Sequence, residues 1–75
     1  MMNQKEAIDY AMHRGRVRNT KTGEVGNLVS WPKSNSCSVF TGYVWIGNYQ
    51  APQFAGWLKA DTEKESNAVP VGGAK

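Results

Sequence analysis

Residues 37–47, C-S-V-F-T-G-Y-V-W-I-G, are apolar or aromatic at both parities: Val39, Tyr43 and Trp45 at one, Phe40, Val44 and Ile46 at the other. β-Branched and aromatic types on both faces are what a strand needs when it has neighbours on either side. No other segment is apolar on both faces for so long. This one is therefore predicted to lie inside a sheet, with the rest of the chain packed around it.

The segments before it supply a helix and two partner strands. Asn3 is a capping residue, and Glu6 follows three positions later, where a capping-box acid reaches back. Ile8, Ala11 and Met12, with Ala7 beside them, form a narrow apolar stripe, and Gly15 is placed to end the helix in a left-handed turn. These signals predict a helix over residues 3–14. Ten or so helical residues do not hold alone in water, so the helix must dock on the sheet. Strands follow at 16–19 and 24–31, joined by the hairpin signal T-K-T-G; Pro32 to Ser36 is turn chemistry throughout.

Beyond the central strand, Gly42 and Gly47 suit a sharply bent ribbon, and 48–53, with Pro52, is predicted to be a turn. Residues 54–60 form the last strand: Gly56 would weaken a helix, although Phe54, Trp57 and Leu58 also fit helical spacing. The apolar content collapses at Asp61, which predicts a frayed or disordered tail over 61–75. The resulting class is α+β, mainly β. An N-terminal helix precedes a strongly curved antiparallel meander of four or five strands, arranged as a small, partly open barrel of the SH3-like kind, in one domain over residues 1–60. Small proteins of this build are frequent in phages and mobile elements.

A chain of 75 residues buries only about 60% of its unfolded surface and needs help to be stable. Cys37 is the sole cysteine, so no intrachain disulfide supplies that help; with no apolar leader at the start, this points to a reducing, cytoplasmic setting. No window approaches the roughly 20 apolar residues of a membrane span. Residues 1–60 hold seven Lys and Arg against three acids, a net +4; residues 61–75 hold two lysines against three acids, a net −1. A basic body leans towards an acidic surface or a polyanion.

Two features carry candidate function. Residues 13–21, H-R-G-R-V-R-N-T-K, concentrate Arg14, Arg16, Arg18 and Lys21; the guanidinium forks of the three arginines match phosphate oxygens. The same arginines also suit a solvated edge strand that resists pairing. Tyr43, Trp45, Tyr49, Phe54 and Trp57 crowd into fifteen residues, with Phe40 and Trp31 nearby. Each ring takes about 150–250 Å² of surface, more than so small a core can hide in full. Tyr49 and one of Trp45 or Trp57 are the rings expected outside; Phe40, Trp31 and the other Trp are expected in the core. One His and one Cys do not converge into a nucleophile–base pair, and Cys37 reads as a small buried hydrophobe. No zinc-ligand, P-loop or dinucleotide spacing appears, so no enzyme activity, metal or cofactor is expected.

The function expected from these residues is a small binding module for a macromolecule. A protein partner is favoured, held by Trp45, Tyr49 and Trp57 and steered by Arg14, Arg16, Arg18 and Lys21. The alternatives are nucleic-acid binding through the same residues and a self-associating structural protein.

Overall fold

The computed structural model describes residues 2–65. Helix α1 spans Gln4–Met12 and precedes five strands: β1 (Arg16–Asn19), β2 (Val25–Ser30), β3 (Ser36–Ile46), β4 (Tyr49–Leu58) and β5 (Thr62–Lys64). A 3-10 turn, Lys59–Asp61, links the last two. All pairings are antiparallel, in the order β4-β3-β2-β1-β5. The fold is α+β and mainly β, as the sequence predicts, but the sheet is open. The expected barrel does not close, because β5 is three residues long and pairs only with β1 among the described residues.

The Asn3 side chain caps α1 by accepting from the Glu6 amide at 2.7 Å. The Glu6 carboxylate does not complete the capping box; it pairs with Lys64 at 2.9 Å and so ties the helix to β5. That pairing holds the Glu6 pKa below the usual carboxylate range and the Lys64 pKa above the usual ammonium one. The helix docks through Ala7 and Ala11, whose small side chains let it lie close to the sheet. Ile8 and Met12, expected on that stripe, are 43% and 73% exposed.

The end of α1 differs from expectation in an instructive way. Gly15 N–H bonds to Tyr10 C=O at 2.9 Å and Arg14 N–H to Ala11 C=O at 3.0 Å, the paired bonds of a Schellman turn. The left-handed residue is Arg14, with φ 53, not Gly15. Gly15 is needed for space instead: a Cβ there would overlap the Tyr10 ring, whose hydroxyl donates to Arg16 C=O at 2.5 Å.

The core lies between α1 and one face of the sheet and comprises Met2, Ala7, Ala11, Val17, Leu28, Trp31, Cys37, Val39 and Trp57. Register explains the set, since Leu28 pairs with Val39 and Cys37 with Trp57 across neighbouring strands. Asn19 is buried and satisfied: its side-chain oxygen accepts from the Lys21 and Thr22 amides and shapes the β1–β2 turn. Buried Thr62 donates to Leu58 C=O at 2.8 Å. Asp61 to Glu65 therefore belongs to the fold rather than to a frayed tail. What burial cannot supply there, pairing with β1 does, reinforced by Arg18–Glu63 at 3.4 Å and Arg16–Glu65 at 3.5 Å. The rest of the expected tail, 66–75, lies outside the described residues.

The region read as a turn, 48–53, is mostly strand. Gly47 and Asn48 make a two-residue hairpin turn, and β4 starts at Tyr49, opposite Ile46. Pro52 fits because β4 is an edge. Counting from the Ile46–Tyr49 pair, the Tyr43–Pro52 pair falls at a non-hydrogen-bonded position, so the proline nitrogen faces the open side.

Register shifts between β2 and β3 at Leu28/Ser30, and once between β3 and β4. Phe40 pairs with Phe54 and Gly42 with Gln53, leaving Thr41 as an extra residue whose hydroxyl donates to Gln53 C=O at 3.2 Å. Gly42 has φ 139, a conformation a side chain rarely adopts. Val at position 42 is expected to cost roughly 2 kcal/mol. Arg16→Ala, at an exposed ion pair, should stay within about 0.5 kcal/mol of wild type. Arg14→Gly should also stay within about 0.5 kcal/mol of wild type, strain relief offsetting the freer unfolded chain and the lost Nη1 hydrogen bonds. Urea midpoints of the three variants check the order; Gly42→Val unfolding alongside Arg16→Ala would refute the bulge assignment.

Candidate functional site: the aromatic face of the β3–β4 hairpin

The bulge at Thr41 decides where the rings go. Before it, odd residues of β3 face the core, and Cys37 and Val39 are buried. One extra residue transfers Tyr43 and Trp45 to the face of Phe40. No residue from Phe40 to Gly56 is buried. Trp45 is 68% exposed, Tyr43 63%, Tyr49 57% and Phe54 56%.

Phe40 anchors this outer face with edge-on contacts to Tyr43 (centroids 5.2 Å apart) and Phe54 (5.8 Å). The three rings, with Pro52 and Val29, wall an open groove of about 470 Å³ that Asn27 and Arg14 complete. Arg14 is the only charged side chain on it among the described residues. Its Nη1 donates to Ala11 C=O at 2.7 Å and to Val29 C=O at 3.5 Å, and Asn27 Nδ2 donates to Arg14 C=O at 2.9 Å. The groove thus combines apolar walls with one positioned guanidinium.

The other expected site residues are scattered. Trp45 shares the face of Tyr43 nearer the hairpin tip, whereas Tyr49, opposite Ile46, projects from the reverse side. Trp57 is 6% exposed, which removes it from the surface set: it pairs with Cys37 and points into the core, next to the sheet face that α1 covers. Of the rings expected inside, Trp31 is buried, with the Lys59 ammonium 4.9 Å above its ring, whereas Phe40 is only half-buried and faces the groove. Arg16 and Arg18 do share the exposed face of β1, flanking buried Val17, but each meets a glutamate of the β5 segment. Lys21 sits on the β1–β2 turn. Only Arg14 joins the aromatics.

Sequence reasoning did not single out Phe40, Tyr43, Pro52, Phe54, Asn27 and Val29 as a site. One signal was available. Residues 34–58, from the end of the β2–β3 loop through β4, contain no Asp, Glu, Lys, Arg or His. A solvated hairpin normally carries charge, and this one exposes many rings with none.

Cys37 and His13 lie apart in environment. Cys37 is buried, and burial pushes its thiol above the usual range, with the Thr62 hydroxyl at 3.6 Å opposing the shift. His13 is exposed at the end of α1, its Nδ1 2.9 Å from Asp9 C=O. No group of three or more His, Cys, Asp or Glu that could hold a metal occurs among the described residues, and no described helix is long and apolar enough to cross a membrane. An aromatic disulfide reagent should modify Cys37 about a hundredfold more slowly in the native protein than in urea, because the thiol is reached only through opening. Equal rates would place Cys37 at the surface.

No family model matches this chain, and neither a curated protein nor a solved structure shows significant similarity to it.

Proposed function

We propose that this protein is a non-catalytic binding module whose partner is another protein, engaged through the aromatic outer face of the β3–β4 hairpin. The observation that carries the reading is the join of two features: a charge-free ribbon over residues 34–58, and a bulge that turns Tyr43 and Trp45 away from the core onto the face of Phe54. Exposed Trp and Tyr are the types that dominate binding energy at protein interfaces, where desolvated rings fill pockets on the partner. Charge depletion at the centre of a contact surface is the accompanying signature.

Nucleic acid is the weaker reading. Affinity for a phosphate backbone grows with the number of cations facing it. Arg16 and Arg18 face Glu65 and Glu63 instead, and the aromatic face has Arg14 alone. Self-association through the same face is the remaining alternative, and light scattering separates it from a foreign partner.

A double variant, Tyr43→Ala with Trp45→Ala, tests the proposal, since both rings are exposed and their loss should leave the circular dichroism unchanged. Nuclease-treated lysate passed over immobilised wild type should yield a protein that the double variant retains at least about tenfold less well, two interface aromatics each being worth over 1 kcal/mol. Retention that vanishes on nuclease treatment, or that follows Arg16→Ala and Arg18→Ala instead, counts against it.

A further inference from the structure

We infer that the groove walled by Phe40, Tyr43, Pro52 and Phe54 receives an apolar peptide side chain whose neighbouring carboxylate pairs with Arg14. The inference rests on the protein-partner reading above and states what the partner presents. Its first support is size and lining: about 470 Å³ lies within the range of small-ligand sites, and the walls are rings, Pro52 and Val29. An apolar side chain fits such walls; a hydrated polar one would lose its water for nothing.

The second support is charge. Arg14 is the one charged residue lining the groove among those described, so a ligand seated there meets an uncompensated cation. Among the described residues, the hydrogen bonds of the Arg14 side chain run through Nη1, to the carbonyls of Ala11 and Val29. That leaves Nε and Nη2, two parallel donors matched to a carboxylate. A single guanidinium suits one carboxylate, whereas a phosphate backbone would call on several cations.

The third support is backbone conformation. Arg14 is the only described non-glycine residue with positive φ, at a helix-end position where glycine is the usual choice. A side chain there costs of order 1–2 kcal/mol, and strain of this kind marks sites where the side chain is needed in place. Asn27 holds the arrangement by donating to the Arg14 carbonyl while its own carbonyl accepts from Arg16 at 3.4 Å.

The test is a ¹⁵N NMR titration of the full chain with three probes: N-acetyl-Phe-Leu as the free acid, the same dipeptide as its C-terminal amide, and hexathymidylate. The acid should shift the backbone amides of Asn27, Val29, Phe40, Tyr43 and Phe54, and the amide should bind about fivefold more weakly, an exposed charged hydrogen bond being at stake. Arg14→Gln, which keeps a long side chain, should bring the acid to the level of the amide. Arg14→Gly, expected to be about as stable as wild type, should do the same, and a wild-type urea midpoint for that variant excludes misfolding as the cause. Equal affinities for acid and amide, a preference that survives both variants, or no shift with either dipeptide up to about 10 mM overturns the carboxylate assignment. Those results leave the hairpin reading to stand or fall on the Tyr43 and Trp45 variants. Hexathymidylate shifting the same amides in place of the dipeptides would overturn both.

Discussion

Thr41 is one residue more than its partner strand can match, and the arrangement of the molecule follows from how that surplus is absorbed. Up to Phe40, β3 and β4 alternate in step with the helix-covered face, so Cys37, Val39 and Trp57 build the core with Leu28 and Val17. Past the bulge the parity is reversed. Had β3 continued in phase, Tyr43 and Trp45 would extend the face of Val39 beyond the reach of α1, and Phe40 would have no ring beside it on β3. The extra residue instead gathers Phe40, Tyr43 and Phe54 on one side, away from the helix. Gly42 makes this feasible, since its φ of 139 bars the side chains that a straight strand would prefer.

The same division appears in the charges. Every charged residue lies outside 34–58, and three of the ion pairs among the described residues join α1 and β1 to the β5 segment: Glu6–Lys64, Arg16–Glu65 and Arg18–Glu63. Exposed pairs of this sort add little stability individually. Their effect here is on recognition. Glutamates within 3.5 Å of Arg16 and Arg18 cancel most of the field that a polyanion would feel from β1. The net positive charge read from composition is therefore not concentrated on the segment that looks most basic in sequence, and the aromatic face keeps a single cation.

Much of the fold was legible because local chemistry and tertiary structure agree. Asn3 caps the helix, β1 occupies residues 16–19, and the two-sided apolar run is an interior strand between β2 and β4. The misreadings share one cause: each depended on a neighbour that sequence does not identify. Pro52 argues for a turn unless the strand is known to be an edge with its nitrogen outward. Thr62 to Lys64 looks too polar to order unless β1 is known to lie alongside it. Trp57 and Trp45 were indistinguishable as candidates for exposure, because a bulge in β3 between Trp45 and Cys37, the partner of Trp57, puts one inside and one outside. For the site, the surplus of rings was visible from their number, but their grouping about Phe40 required the register. Arg14 was legible only as one basic residue among four; its separation from the others is conformational, arising from the left-handed turn that ends α1.

An open sheet with a ten-residue edge strand invites pairing with any free strand, and β4 carries no charge to discourage it. Pro52 changes that balance. Its nitrogen faces the open side and offers no donor, so an incoming strand would leave a gap near the middle of the ladder. The edge is thus impaired as a template while the adjoining face, with Tyr43, Phe54 and Pro52 itself around the groove, remains fully presented. One proline accordingly serves two ends: it wards off backbone pairing at the edge and supplies a rigid apolar wall to the groove. That pairing of roles leaves the side chains of the face, rather than the β4 backbone, as the surface on which the proposed contact would form, with Arg14 as its polar group.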